Sequence, residues 1–231
     1  MTLQEGHSLP LSPQEAVQIQ RQLAPLVRRQ PPAAEIRLVA GADCRYTRNG
    51  AMCAAAVVLW DLDSGTTAEV QTSLAEVRFP YVPGLFAFRE APAILRVLDL
   101  LATRPQLLIC DGHGVAHPRR FGLACHLGVL TGIPTIGCGK RRLCGTFVEP
   151  GITRGSNSPL RDRGATIGTV LRTQAGVRPV FVSVGHRIDL ATAERVILIC
   201  TPRYRLPEPL RLAHRAAGEA LRREIEGPPP L

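Results

Sequence analysis

Three β-rich runs joined by two short polar turns, followed by strands alternating with helices, leave this chain few architectures. The runs are Ile36–Asp43, Met52–Trp60 and Thr67–Val77; the turns are Arg48-Asn49-Gly50 and Asp63-Ser64-Gly65. Links this short join antiparallel neighbours, so the runs predict a meander. After a Pro- and Gly-rich loop at 79–84, the spacing of Ile94, Leu95, Leu98 and Leu101 predicts a helix over Phe88–Leu101. Leu107–Cys110 reads as a buried strand, Arg119–Leu130 as a helix and Thr135–Cys138 as a strand. A strand–helix–strand unit sets its strands parallel. Upstream, Ser12-Pro13-Gln14-Glu15 is a capping box, and Ala16, Ile19, Leu23 and Val27 carry a helix toward Gln30-Pro31-Pro32. Downstream, Lys140–Gly164 reads as a long loop, Thr166–Arg172 and Val180–Val184 as strands, and Ala191–Cys200 and Glu208–Glu224 as helices.

The expected fold is one α/β domain over residues 1–231, in three layers. Its central mixed sheet begins with the antiparallel three-strand meander and continues with parallel strands, with helices on both faces. Residues 1–11 and 226–231 are expected to be flexible ends.

Composition narrows the class of function. No apolar run approaches the ~20 residues of a membrane span, and 45% hydrophobic with 20% charged residues is a globular balance. The seven cysteines (44, 53, 110, 125, 138, 144 and 200) include no CxxC pair and several sit in apolar runs. That pattern fits reduced, buried thiols in a cytoplasmic protein rather than a disulfide scaffold or zinc site. The N-terminal stretch lacks the charged and apolar regions of a signal peptide. Lys plus Arg total 28 against 19 acids, a net +9, which favours a polyanionic partner such as nucleic acid. Lys140 is the only lysine among those 28, a place where a compact ammonium is wanted.

Familiar motifs come close and fail. Gly112-His113-Gly114-Val115-Ala116-His117 lacks the third glycine of a dinucleotide fingerprint, and Gly139-Lys140-Arg141 lacks the Ser/Thr of a P-loop. What remains is a set of carboxylates: Asp43 and Asp111 each end a buried strand run, and Glu90 opens a predicted helix. Singly, each reads as a turn-former, cap or first-turn acid. Brought together they would repel strongly without a dication, and such hard oxygen ligands suit Mg²⁺, with Mn²⁺ able to substitute. Carboxylates, Mg²⁺ and a basic surface point to phosphodiester hydrolysis.

The segments Phe79-Pro80-Tyr81-Val82-Pro83-Gly84-Leu85-Phe86-Ala87-Phe88-Arg89-Glu90 and Asp111-Gly112-His113-Gly114-Val115-Ala116-His117-Pro118-Arg119-Arg120-Phe121-Gly122 resemble the signature motifs of the endonuclease V family. Ile133–Cys138, Val177–Arg187 and Leu206–Pro209 extend the likeness over roughly residues 12–224. The resemblance implies an RNase H-like fold and a Mg²⁺-dependent DNA repair endonuclease acting on deoxyinosine, the product of adenine deamination. In bacterial members the second phosphodiester bond 3′ to the lesion is cut, leaving 3′-OH and 5′-phosphate. It further implies that Asp43, Glu90 and Asp111 hold the metal, with His214 a direct or water-mediated ligand. Lys140 would meet the scissile phosphate or attacking water, and His117 would help position substrate or a proton. Tyr81, in a rigid loop between prolines, would wedge into the space left by an extruded base. Pro83, Gly84, Leu85 and Gly112 would line the base pocket, and Arg141 would contact phosphate. Phe86 and Gly139-Lys140-Arg141 depart from the family's commoner Leu and Ala/Ser-Lys-Ser. The expected partner is DNA with deaminated bases, with inosine-containing RNA as a second, and the expected state is a monomer. The alternatives are an inosine-specific endoribonuclease, a branched- or flap-DNA nuclease, and a non-catalytic inosine-binding module.

Overall fold

The structure, a computed structural model, describes residues 12–226, so the expected flexible ends lie outside the described residues apart from Glu226. Strands β1 (Leu38–Tyr46), β2 (Met52–Asp61) and β3 (Thr66–Glu76) form the expected antiparallel meander. β4 (Leu107–Cys110) and β5 (Thr135–Gly139) then extend the sheet in parallel with β1. The expectation of parallel strands stops there. β6 (Asn157–Asp162), β7 (Ala165–Leu171) and β8 (Val180–His186) are antiparallel to one another in turn, and β8 is antiparallel to β5. Short links between these last strands reverse the chain where a helical crossover would have kept it parallel. Among the described residues the sheet order is β3-β2-β1-β4-β5-β8-β7-β6.

β6 falls inside the stretch read as loop. Only Ser158 and Leu160 of it are buried, and Pro159 sits in an edge strand where no ladder partner is lost. Its return to β7 runs through Arg163 and Gly164, both at positive φ, a two-residue hairpin of the kind that suits strand twist.

Helices α1 (Pro13–Leu23), α2 (Phe86–Leu100), α3 (Leu123–Thr131), α4 (Leu190–Ile199) and α5 (Glu208–Glu226) complete the layers. Ser12 caps α1 by accepting the Glu15 N–H. The helix ends earlier than expected because Pro25, in the 3₁₀ turn Ala24–Leu26, has no N–H to continue it. α3 begins four residues late: Gly122 is wedged against the His113 carbonyl, and Arg120 sits at φ +57°.

The period-2 alternation of β2 shows why the sheet needs two covers. Ala55, Val57 and Leu59 pack with Ala91, Ile94 and Leu95 of α2, while Ala54, Ala56 and Val58 pack with Ala213, Ala217 and Leu221 of α5. α4 buries Ala193, Val196 and Ile197 in a third cluster with β4, β5 and β8. Small residues let α5 come close: at Gly41 of β1 a Cβ would lie 2.3 Å from the Pro209 carbonyl carbon. All seven cysteines are free thiols, six of them buried. Among the described residues no helix is long and apolar enough to cross a membrane.

Candidate active site

The two aspartates meet where β4 ends against the middle of β1. β1 and β4 pair with Ala42 opposite Cys110, so Asp43 and Asp111 come next side by side; Asp111 leaves the sheet as β4 ends, whereas Asp43 stays inside β1, which runs on past the expected end to Tyr46 and pairs Asp43 with Ala56 of β2. Parallel neighbours lie ~4.8 Å apart, close enough for their carboxylates to repel. Glu90 enters from α2. The sequence placed it in a first turn, but α2 starts at Phe86, two residues earlier than expected, which puts Glu90 in the second turn; it is 3% exposed. Lys140 follows β5, and His214 projects from α5. Asp43, Glu90, Asp111, Lys140 and His214 line one cleft of about 470 Å³, together with Arg45, Tyr46 and Phe86.

Charge within the cleft is partnered side chain by side chain. The Lys140 ammonium donates to Asp111 Oδ2; burial works against its charge, but Asp111 and then Asp43 outweigh that and raise its pKa. Arg45 donates to His214 Nε2 at 3.2 Å. Because a guanidinium has no acceptor, Nε2 accepts in that contact, and Nδ1 donates to Asp43 Oδ2 at 2.5 Å. Tyr46 donates to Glu90 Oε1 at 3.0 Å. Burial first, then the Asp111 charge, pushes Asp43 above the usual carboxylate range. Glu90 is pushed well above it by burial and the Asp43 charge. This donor set, crowded hard oxygens that resist joint ionisation, fits a hard dication. Among the described residues no three His, Cys, Asp or Glu side chains are drawn into a closed set of metal ligands. Asp43 instead turns to His214, and Asp111 to Lys140.

A second cavity, of about 250 Å³, opens beside the first and is lined by Tyr81, Pro83, Gly84, Phe86, Gly112 and Leu143, among others. Phe86 belongs to both walls. Tyr81 is 69% exposed at the pocket's edge. Gly84 holds φ +79°, a backbone conformation that calls for glycine.

Three expectations need correction. Leu85 does not line this pocket: it is buried with Ala16, Phe79 and Phe88, and its neighbour Phe86 takes the wall. One residue of rotation at a helix start exchanges the two. His117 lies in the second cavity, outside the acidic cleft. Its Nδ1 accepts the Arg119 N–H at 3.1 Å and its Nε2 donates to the Gly84 carbonyl at 2.9 Å. Burial, and then Arg119, pull its pKa down to about 4. Its two ring nitrogens tie the loop before α3 to the lip of the second cavity. Glu90 is the third, for the depth already described.

Arg141 is exposed next to Lys140. Reading the sequence missed Gln20, Arg205 and Tyr46. Arg205 Nη2 donates to the Lys140 carbonyl at 2.7 Å, tethering the loop that carries the ammonium. Gln20 had a legible signal: it lies four residues after Ala16, inside the apolar stripe of α1.

A family model described as Endonuclease V matches residues 21–215. A relative named endonuclease V from Roseiflexus sp. strain RS-1 is 48% identical over 209 residues, covering 90% of this chain and 93% of that protein. The crystal structure of endonuclease V from Streptomyces avermitilis superposes with a TM-score of 0.90 at 45% identity, over 94% of this chain and 96% of that one. The Ciona intestinalis endonuclease V, solved with a 24mer DNA containing an inosine followed by a ribo-adenosine, shares the fold with a TM-score of 0.80 at 24% identity. It covers 91% of this chain, which covers 98% of that one.

Proposed function

Because this chain belongs to the endonuclease V family, a family of nucleases, we propose that it is a Mg²⁺-dependent repair endonuclease acting on deoxyinosine in DNA. It hydrolyses the second phosphodiester bond 3′ to the lesion and leaves 3′-OH and 5′-phosphate. One observation carries the reading: an acidic cleft with one ammonium shares the wall of Phe86 with a small, largely apolar pocket behind an exposed tyrosine. A cutting site and a base-sized site side by side suit an enzyme that recognises an extruded base and cuts nearby. The inosine-bearing DNA held by the Ciona relative supports the same substrate.

Asp43, Glu90 and Asp111 would hold the metal, Mg²⁺ or Mn²⁺, with His214 beside Asp43. When bound, the dication supplies positive charge against the phosphate and makes water more acidic. Lys140, held by Asp111, presents its ammonium to the scissile phosphate. Tyr81 fills the space the base vacates. Pro83, Gly84 and Gly112 let backbone approach the base, where an N–H suits the 6-oxo group of hypoxanthine. Arg141 contacts phosphate, positioning the strand without reading it. The protein acts as a monomer in this reading, and the buried free thiols support a cytoplasmic setting.

The deciding experiment compares nicking of matched inosine and adenine strands, as DNA and as RNA, at fixed salt with and without EDTA. Cutting confined to inosine DNA and abolished by EDTA is the expected result. Preference for the RNA strand would make it an endoribonuclease, and binding without cutting would make it a recognition module. Tyr81→Ala is expected to weaken inosine cleavage at subsaturating strand about tenfold, since an aromatic–base stack is worth ~1–3 kcal/mol. Much of the loss should be recovered at saturation, and an unchanged KM would remove the wedge.

A further inference from the structure

The chain has six Phe, three Tyr and one Trp, all within the described residues, and of these only Tyr81 and Tyr204 are exposed, the second by 47%. The two stand on opposite faces of the sheet. Tyr81 lies in the loop leading into α2, which covers Ala55, Val57 and Leu59 of β2; Tyr204 lies against α5, which covers Ala54, Ala56 and Val58. The acidic cleft lies between them. It shares Phe86 with the pocket of Tyr81, and its far side is formed by His214, three residues along α5 from Arg211, and by Lys140, whose carbonyl is held by Arg205. The Arg211 guanidinium carbon sits 3.7 Å from the Tyr204 ring centroid, and its Nε donates to Glu208 Oε2 at 3.2 Å. The loop carrying Tyr204 is pinned without the ring. Thr173 Oγ1 donates to the Arg205 carbonyl and Gln174 Nε2 to the Thr201 carbonyl, both at 2.7 Å, while Arg205 donates to the carbonyls of Arg178, Lys140 and Pro179. Tyr204 belongs to none of the buried clusters.

We propose that Tyr204, backed by Arg211, is a stacking platform for bases of the cut strand on the 3′ side of the scissile phosphate. This rests on the reading of the cleft as the cutting site and of the second cavity as the base pocket. A strand with its extruded base on the α2 face and its scissile phosphate over the acids runs on past Lys140 and His214, toward the α5 face where Tyr204 stands. Because the cut falls 3′ to the lesion, the part that arrives there is the 3′ flank. Every base has a π-face, so the platform accepts any sequence. The exposed Arg178 and Arg203 at the same loop supply charge for the phosphates. A ring already held by a guanidinium has little rotamer freedom left to lose on binding. Gripped in the pocket on one face and on the platform on the other, the strand is held taut across the acids, which fixes the phosphate between.

The test measures kcat/KM of the full chain, at fixed salt and Mg²⁺, on two inosine-containing DNA strands of equal length. One carries ordinary bases 3′ to the cut and the other stable abasic residues there, so the phosphates are the same and only the flank bases differ. If the unmodified protein cuts neither strand, the functional reading falls, separately from the platform. It is expected to prefer the base-bearing flank about tenfold, the scale of one base stacked on an aromatic ring. Tyr204→Ala is expected to cut the abasic strand as the unmodified protein does and to lose the preference, while Tyr204→Trp keeps it. The preference is a ratio taken on one preparation, so partial unfolding cannot imitate its loss. No preference in the unmodified protein overturns the proposal. So does a preference in Tyr204→Ala within twofold of the unmodified one, and parallel loss on both strands would leave the ring as support for the loop alone.

Discussion

Asp43→Ala or Asp111→Ala is expected to lower single-turnover cleavage of an inosine strand on the order of a thousandfold, the scale at which preorganised charge acts in an active site. Binding to the uncut strand should persist, because Tyr81 and the second cavity are untouched. Stability should move in the opposite sense. Asp43 and Glu90 are buried acids whose ionisation is opposed by burial first, and then by the Asp111 charge for Asp43 and the Asp43 charge for Glu90. Removing one charge relieves strain held for function rather than for the fold. Glu90→Gln is the cleanest version, since the amide oxygen still accepts the Tyr46 hydroxyl. Its melting temperature in EDTA should equal or exceed that of the unmodified chain while cleavage is lost. Normal turnover by Asp43→Ala or Asp111→Ala would remove the metal-site reading. A melting temperature falling in step with cleavage in Glu90→Gln would make that acid structural.

The second large effect is on stability. Gly41→Ala is expected to cost roughly 3 kcal/mol, the upper end for overpacking a core. The added Cβ would lie 2.3 Å from the Pro209 carbonyl carbon and 2.5 Å from Leu210 N. Both are backbone atoms at the start of α5, facing a central strand, so neither side can turn away. α5 would have to lift from β1, and since it carries His214 the Asp43–His214 contact should loosen and cleavage fall with stability. Gly218→Ala is the internal control. It lies on the same helix, nothing stands within 4 Å of its added Cβ, and Ala is favoured over Gly inside a helix by ~0.5–1 kcal/mol. Urea unfolding of the two variants should therefore give shifts of opposite sign. Two shifts of the same sign would mean that the close approach at Gly41 does not bear on stability.

Much of the candidate site was legible before any fold was known. Asp111 follows the end of a buried strand as read, and parallel pairing sets it beside Asp43, although β1 continues beyond Asp43 to Tyr46 because β2 goes on pairing with it. Lys140 was marked by being the one lysine among 28 basic residues. Glu90 was read as an acid of the site but two residues too near the helix start, because a helix start preceded by a Pro-Gly loop carries no capping residue; Leu85 caps α2 with no side-chain bond. β6 escaped because an edge strand with two buried residues has almost no alternating pattern to read.

Local order and close-range chemistry were therefore written in the chain: the meander, the strand–helix alternation, the acids after buried runs and the motif loops. Each depends on periodicity or on neighbours a few residues apart, and a linear pattern preserves those. Tertiary structure alone decided that Phe86 rather than Leu85 faces the pocket, that Gly41 lets α5 settle on β1, and that Gln20 reaches the Gly84 carbonyl. Those outcomes depend on atoms up to 169 residues apart, in the case of Gly41 and Leu210. No local propensity encodes the direction of a side chain whose only partners arrive when the layers close.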